Sequence, residues 1–331
     1  MEFLSEPSLI VAAVEVLLGL VLLTKAADVF VDGAVAIAGA AKISPVVVGA
    51  VIVGFGTSAP ELLVSGLAAL NDDVDLGVGN VVGSNVANLS LVLGAAALVV
   101  PLLVTRAVIV KEAPISLLSV LLFAYFTTGG FEVWEGVVML IVLFAVLSWI
   151  VLGGHEESSE ELHFDPEQTV TKSVMETVGG LLGTLLGAQL MVWGALAIAA
   201  EFGVTGGFIG FTLVAIGTSL PELVTAVAAA RKGETELILG NLLGSNVFNS
   251  LAVGGVIALL GAGEIDDELM RTYGVLIMVA VATLAWVFMV ARKRVSKPEA
   301  VFLLTAYAVA ILVISETDAG SSIREAIESI G

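Results

Sequence analysis

The chain of 331 residues is 58% hydrophobic and only 14% charged, with a mean hydropathy of +1.07 and a formal net charge of −19. Soluble proteins carry about 25% charged residues, so a water-soluble globular protein is excluded and a polytopic helical membrane protein is indicated. There is no cysteine, which removes disulfides and thiolate metal sites; the two histidines, His155 and His163, fall in a charged central segment, which removes an imidazole metal site within the membrane.

Taken in chain order, ten apolar spans are expected, over 9–38, 45–70, 75–100, 112–129, 134–153, 174–201, 206–230, 237–262, 272–291 and 299–316. No basic n-region precedes the first, so it is expected to continue as a span, not as a cleavable signal. It is longer than a perpendicular crossing needs, which predicts tilt or an interfacial end. Lys25, Asp28 and Asp32 share one of its faces and are expected to pair with one another instead of binding transported ions. The second span contains Gly56-Thr57-Ser58-Ala59-Pro60-Glu61, and the seventh contains Gly217-Thr218-Ser219-Leu220-Pro221-Glu222. The third carries Gly79-Asn80, Gly83-Ser84-Asn85-Val86 and Asn88; the eighth carries Gly240-Asn241, Gly244-Ser245-Asn246-Val247 and Asn249.

Both pairs of motifs stand at one offset, 161 residues (217 − 56), and Gly33-Ala34 against Gly194-Ala195 and Gly49 against Gly210 extend it. Each copy holds five spans. An odd number sends the second copy into the membrane from the opposite side, so the expected fold is all-α, ten transmembrane helices in two inverted five-helix repeats. The expected divisions are 1–153 for the first repeat, 154–173 for an acidic cytoplasmic loop, 174–316 for the second repeat and 317–331 for an acidic C-terminal tail. The loops fit inversion: Asn71-Asp72-Asp73 is acidic where the second copy has Arg231-Lys232. With the N-terminus outside, ten of the thirteen basic residues lie on the cytoplasmic side, which places both termini outside and the central loop inside. The acidic segments read as a solvated surface and, compatibly, as mouths that concentrate cations. The stretch 156–167 lacks the spacing and central glycine of an EF-hand loop.

Glu61 and Glu222 are the only charges in 45–70 and 203–230. A carboxylate in hydrocarbon is costly and marks a functional site. Helical spacing puts Thr57 and Ser58 on the side of Glu61. Pro60 has no N–H for the carbonyl of Gly56 and is expected to open the helix, freeing carbonyls near Gly54 and Gly56, with Ala215 and Gly217 as their equivalents. Ser84 with Asn88 and Ser245 with Asn249 are i, i+4 pairs on the partnering helices; back-bonding to an i−4 carbonyl is the alternative role for each serine. Asn80, Asn85, Asn241 and Asn246 are expected to satisfy backbone or pack helices more than to ligate. The donor set is all oxygen, which suits hard cations such as Ca²⁺ and Na⁺.

These paired motifs resemble the α-repeats of the sodium/calcium exchanger family, within the cation/calcium antiporter superfamily, in its prokaryotic form without regulatory domains. The resemblance implies alternating access by sliding of the first and sixth helices. It implies Ca²⁺ ligands from the Glu61 and Glu222 side chains with the Thr57 and Thr218 carbonyls. Na⁺ would use these acids with Ser58, Ser84, Ser219, Ser245, Thr218 and the Ala215 carbonyl, and Asn88 and Asn249 would line the middle. Many relatives have aspartate where this chain has Asn249, so two carboxylates remain, and a proton-coupled cycle through that position is disfavoured. The function expected is Na⁺/Ca²⁺ antiport at the cell membrane, exporting Ca²⁺ on inward Na⁺ flow, with a Ca²⁺/H⁺ or other cation/H⁺ antiporter as the alternative. No enzyme chemistry, cofactor, nucleic-acid partner or obligate protein partner is expected.

Overall fold

A computed structural model of the chain describes residues 9–41, 44–153, 170–201 and 216–328. The helices are α1 (Leu9–Ala41), α2 (Pro45–Thr57), α3 (Ala59–Leu70), α4 (Val74–Val99), α5 (Val108–Gly129), α6 (Val133–Gly153), α7 (Val170–Glu201), α8 (Leu220–Lys232), α9 (Thr235–Leu260), α10 (Met270–Arg292) and α11 (Lys297–Glu328). Among the described residues eight helices are long and apolar enough to cross a membrane, and the bent pair α2–α3 makes a ninth. Only the 216–230 part of the expected seventh span is described. The last helix does not stop near 316: it runs on to Glu328, through the expected tail, because no proline interrupts 299–328.

α4 and α9 form the centre and are buried almost throughout, whereas α1, α6 and α11 leave most of their apolar surface outside. In water such a surface would drive aggregation; in lipid it is the solvated face. The central helices therefore meet their neighbours through small residues. A methyl group added to Gly244 would strike the Ala50 backbone, and one on Gly54 would meet Ser245 N at 3.0 Å. Gly240 lies equally close to the Val46 backbone. These contacts seat α2 directly on α9.

α1 and α7 pack along their whole length. Gly33 abuts Thr177 and Ser173, Gly180 abuts Phe30, Gly187 abuts Leu23, and Gly194 abuts Val16 and Ala12. Rising numbers on one helix meet falling numbers on the other, so the pair is antiparallel. The contact of Gly33 with Thr177 and Ser173 becomes that of Gly194 with Val16 and Ala12 when 161 is added or subtracted. The local backbone repeats at the same interval. Wide π-type turns at Asn88–Val92 and Val108–Glu112 recur at Asn249–Val253 and Leu269–Gly274.

Loop contacts sort the connections onto two faces. On one, Phe131 and Gly263 exchange backbone hydrogen bonds of 2.7 and 2.9 Å, and Asp75 accepts the Asp267 N–H at 3.1 Å. On the other, β1 (Leu102–Leu103) pairs antiparallel with β2 (Arg294–Val295). The first face carries Asp72, Asp73, Glu132, Glu264, Asp266 and Glu268; the second carries Arg106, Arg292, Lys293, Arg294 and Lys297. α8 ends one residue before Gly233, whose φ of +80° closes the helix in the left-handed cap that glycine adopts without strain. There Lys232 reaches back to α1, donating to the Asp28 carbonyl at 2.8 Å and pairing with Asp32 at 2.6 Å. The expected pairing of Asp32 with Lys25 is thus replaced by one to a residue 200 positions away.

Candidate functional site

The second span breaks at Ser58, whose φ of −85° and ψ of 8° leave the helical region, and α2 and α3 meet at 45°. Ser219 has the same geometry, φ −87° and ψ 3°, ahead of α8. Pro60 and Pro221 sit in the first turns of α3 and α8, where a missing N–H costs nothing. Glu61 and Glu222 follow them, at the positive ends of these helix dipoles, and both are completely buried.

The two breaks are tied crosswise. Ser58 Oγ donates to Glu222 Oε1 at 3.0 Å, and Ser219 Oγ donates to Glu61 Oε1 at 3.4 Å. Thr57 Oγ1 donates to Asn241 Oδ1 at 3.3 Å, and Thr218 Oγ1 donates to Asn80 Oδ1 at 3.2 Å. Each bond changes into its partner when 161 is added or subtracted. Asn85 and Asn246, themselves counterparts, meet where α4 crosses α9, with Asn246 Nδ2 donating to the Asn85 carbonyl at 3.4 Å.

Ser84 donates to Glu61 Oε1 at 3.3 Å, so its hydroxyl faces the acid and makes no i−4 back-bond. Ser245 donates to the Gly54 carbonyl at 3.3 Å and to Asn241 Oδ1 at 3.5 Å. The Gly54 carbonyl is therefore not freed as expected: it accepts Ser58 N–H at 3.1 Å as well as Ser245. The break lies two residues before Pro60, so the turn that closes on Gly54 survives. Ala215 lies outside the described residues. Asn88 and Asn249 open one matched pair of the π-type turns at zero exposure, and neither end of either amide has a hydrogen-bond partner. Of the asparagines expected to satisfy other groups, Asn80 holds the Glu61 carbonyl and Asn85 donates to Ser250 Oγ at 3.0 Å. The threonine–asparagine cross-bonds were not foreseeable from spacing, since they join residues 138 and 184 apart.

The remaining carboxylate oxygens, Glu61 Oε2 and Glu222 Oε2, are buried without a hydrogen-bond partner. Buried unpaired carboxylates cost several kcal/mol each, and a helix dipole returns only about 0.3–2 kcal/mol. The dipoles are too weak to hold both acids ionised, so their charge is met either by a bound cation or by a proton. Hydroxyl, amide and carboxylate oxygens are all it offers, and among the described residues no cluster of three His, Cys, Asp or Glu exists. The donor set fits a hard cation taken as cargo.

Broken helices whose buried acids meet near the middle of a multi-pass membrane bundle are the build of secondary ion transporters. Known proteins narrow the class. The family model described as "Sodium/calcium exchanger protein" matches residues 11–152 and 172–315. CaxA of Alkalimonas amylolytica is 39% identical over 312 residues, covering 90% of this chain and 97% of that protein. The sodium/calcium exchanger MaX1 of Methanosarcina acetivorans is 29% identical over 339 residues, covering 90% and 96%. The sodium-calcium exchanger NCX_Mj, solved after soaking with Na⁺ and Sr²⁺, superimposes with a TM-score of 0.82 at 33% identity, over 92% of this chain and 98% of that one. The chain belongs to the sodium/calcium exchanger family.

Proposed function

We propose that the protein is a secondary antiporter that exchanges Na⁺ for Ca²⁺ across the membrane by alternating access. The observation that carries this reading is the crosswise pair Glu61 and Glu222, fully buried, each with one unpartnered oxygen among neutral oxygen donors. Two carboxylates balance one Ca²⁺ or two Na⁺, so either cargo satisfies the same site in turn. The ligands are Glu61 and Glu222, with oxygens of Thr57, Thr218, Ser58, Ser219, Ser84, Ser245, Asn88 and Asn249 completing the shell; the Ala215 carbonyl is the outer candidate. Asn88 and Asn249 are supported by their unpartnered amides.

Two inverted five-helix halves, 1–153 and 174–316, supply one acid each, joined by an acidic cytoplasmic loop. The antiparallel, offset-related packing of α1 on α7 supports this division. The basic face of the bundle is cytoplasmic and both termini are outside, following the positive-inside bias. In the cell membrane inward Na⁺ flow drives Ca²⁺ out.

Ca²⁺ uptake into proteoliposomes loaded with Na⁺ and diluted into Na⁺-free buffer, at clamped pH, tests the reading. Uptake that requires the outward Na⁺ gradient is expected. Uptake indifferent to Na⁺ but driven by a pH gradient would overturn it in favour of proton coupling, and dissipative uptake without a driving gradient would indicate a pore.

A further inference from the structure

The threonine bonds to Asn80 and Asn241 exchange under the 161-residue offset, although Asn241 Oδ1 also accepts Ser245 Oγ at 3.5 Å, and the nitrogen sides of the two amides differ outright. Asn80 Nδ2 donates to Ser65 Oγ at 2.9 Å and to the Glu61 carbonyl at 3.3 Å. Ser65 extends the chain by donating to the Gly77 carbonyl at 3.4 Å. The backbone of Glu61 is thus braced to α4 through two buried side chains. Asn241 Nδ2, equally buried, has no partner. Turning that amide over would only leave its oxygen unpartnered instead.

The reason lies in one residue. The counterpart of Ser65 is Ala226, a buried methyl where the first half has a hydroxyl. Thr225, one residue earlier and so turned about 100° around the helix, has a buried hydroxyl with no hydrogen bond. The second half therefore has a positioned amide whose nitrogen finds no hydroxyl where the first half has Ser65 and makes no hydrogen bond.

We propose that Ser65 and Asn80 are positioning residues that fix the Glu61 half of the ion site, and that the Glu222 half, lacking this brace, is the half that adjusts to the ion bound. This rests on the ion-site reading above. Ca²⁺ takes six to eight oxygens in a flexible shell, and a site that alternates between Ca²⁺ and Na⁺ must let some oxygens shift. With one half held by its backbone, the shift falls on α8 and its Glu222.

Two small substitutions test this. Ser65→Ala removes the brace, and Ala226→Ser supplies its equivalent beside Asn241. Initial rates of Na⁺-driven Ca²⁺ uptake are measured against Ca²⁺ and Na⁺ concentration, with thermal unfolding of each variant alongside. Ser65→Ala is expected to raise the half-saturating Ca²⁺ concentration about three- to tenfold, the worth of one hydrogen bond, with the maximal rate nearly kept. Ala226→Ser is expected to lower the maximal rate by a similar factor and to tighten half-saturation. Unchanged half-saturating concentrations in Ser65→Ala, with or without a lower unfolding temperature, would overturn the proposal. So would an Ala226→Ser protein that folds and matches the parent in both parameters. Glu61→Gln, run in parallel, separates the two levels: if it transports normally the ion-site reading has failed, and if it is dead while Ser65→Ala behaves as the parent only the bracing has.

Discussion

Glu61 and Glu222 stood out in the sequence because each is a lone charge in a long uncharged run, and hydrocarbon makes such a residue expensive unless it has a purpose. What spacing could not reveal is which hydroxyl faces which acid. Ser58, three residues from Glu61 on the same strand of sequence, bonds instead to Glu222, and Ser219 bonds to Glu61. A break in the helix turns each serine away from its own acid. Glu61→Gln and Glu222→Gln are each expected to lower Na⁺-driven Ca²⁺ uptake by at least about 100-fold, since removing one partner of a buried charge cluster costs about 3–5 kcal/mol; near-normal flux in either purified variant would contradict the assignment. The pairing of Asp32 was equally hidden, because its partner Lys232 lies on another helix and reaches it only after folding. Lys232→Ala is expected to change unfolding temperature little, because an exposed ion pair is worth about 0–1 kcal/mol, and thermal unfolding with and without high salt measures this.

At the scale of helices, the proline and glycine positions told more than hydropathy did. Pro60 and Pro221 announced a break, and the breaks are there, though two residues earlier than each proline and with the proline serving as a helix start. The π-type turns had no sequence signal: Asn88 and Asn249 look like ordinary helix residues, and only the backbone shows a wide turn beginning at each. The glycines of α9 were legible as places of close approach, while their partners were not. Gly244→Val is expected to push α9 off Ala50 and with it Ser245 off the Gly54 carbonyl. Overpacking of this kind costs about 1–3 kcal/mol, so a fall in unfolding temperature accompanied by weaker Ca²⁺ stabilisation is the expected outcome; unchanged stability in detergent would argue that the two helices are not in contact.

For the whole molecule, composition sufficed to say that the chain lives in a bilayer, and the 161-residue offset read in the sequence recurs in the hydrogen bonds between the two breaks. The count of spans was less secure: the first part of the seventh lies beyond the described residues, and the last helix overruns its apolar stretch with no proline after Pro298 to stop it. Sidedness rests on charge. Since the chain has no cysteine, single cysteines at Glu264 and Lys297 can be labelled without background, and impermeant reagent is expected to reach the first from outside intact cells and the second only after permeabilisation. Labelling of both from one side would refute the two-face arrangement.

The crosswise hydrogen bonds between the two breaks carry an evolutionary corollary. Half of this chain would hold one acid without the hydroxyl that the other half donates to it. Two copies of one such half, inserted in opposite senses and meeting face to face, would complete each other. A single half present in both orientations would supply both partners of each such bond.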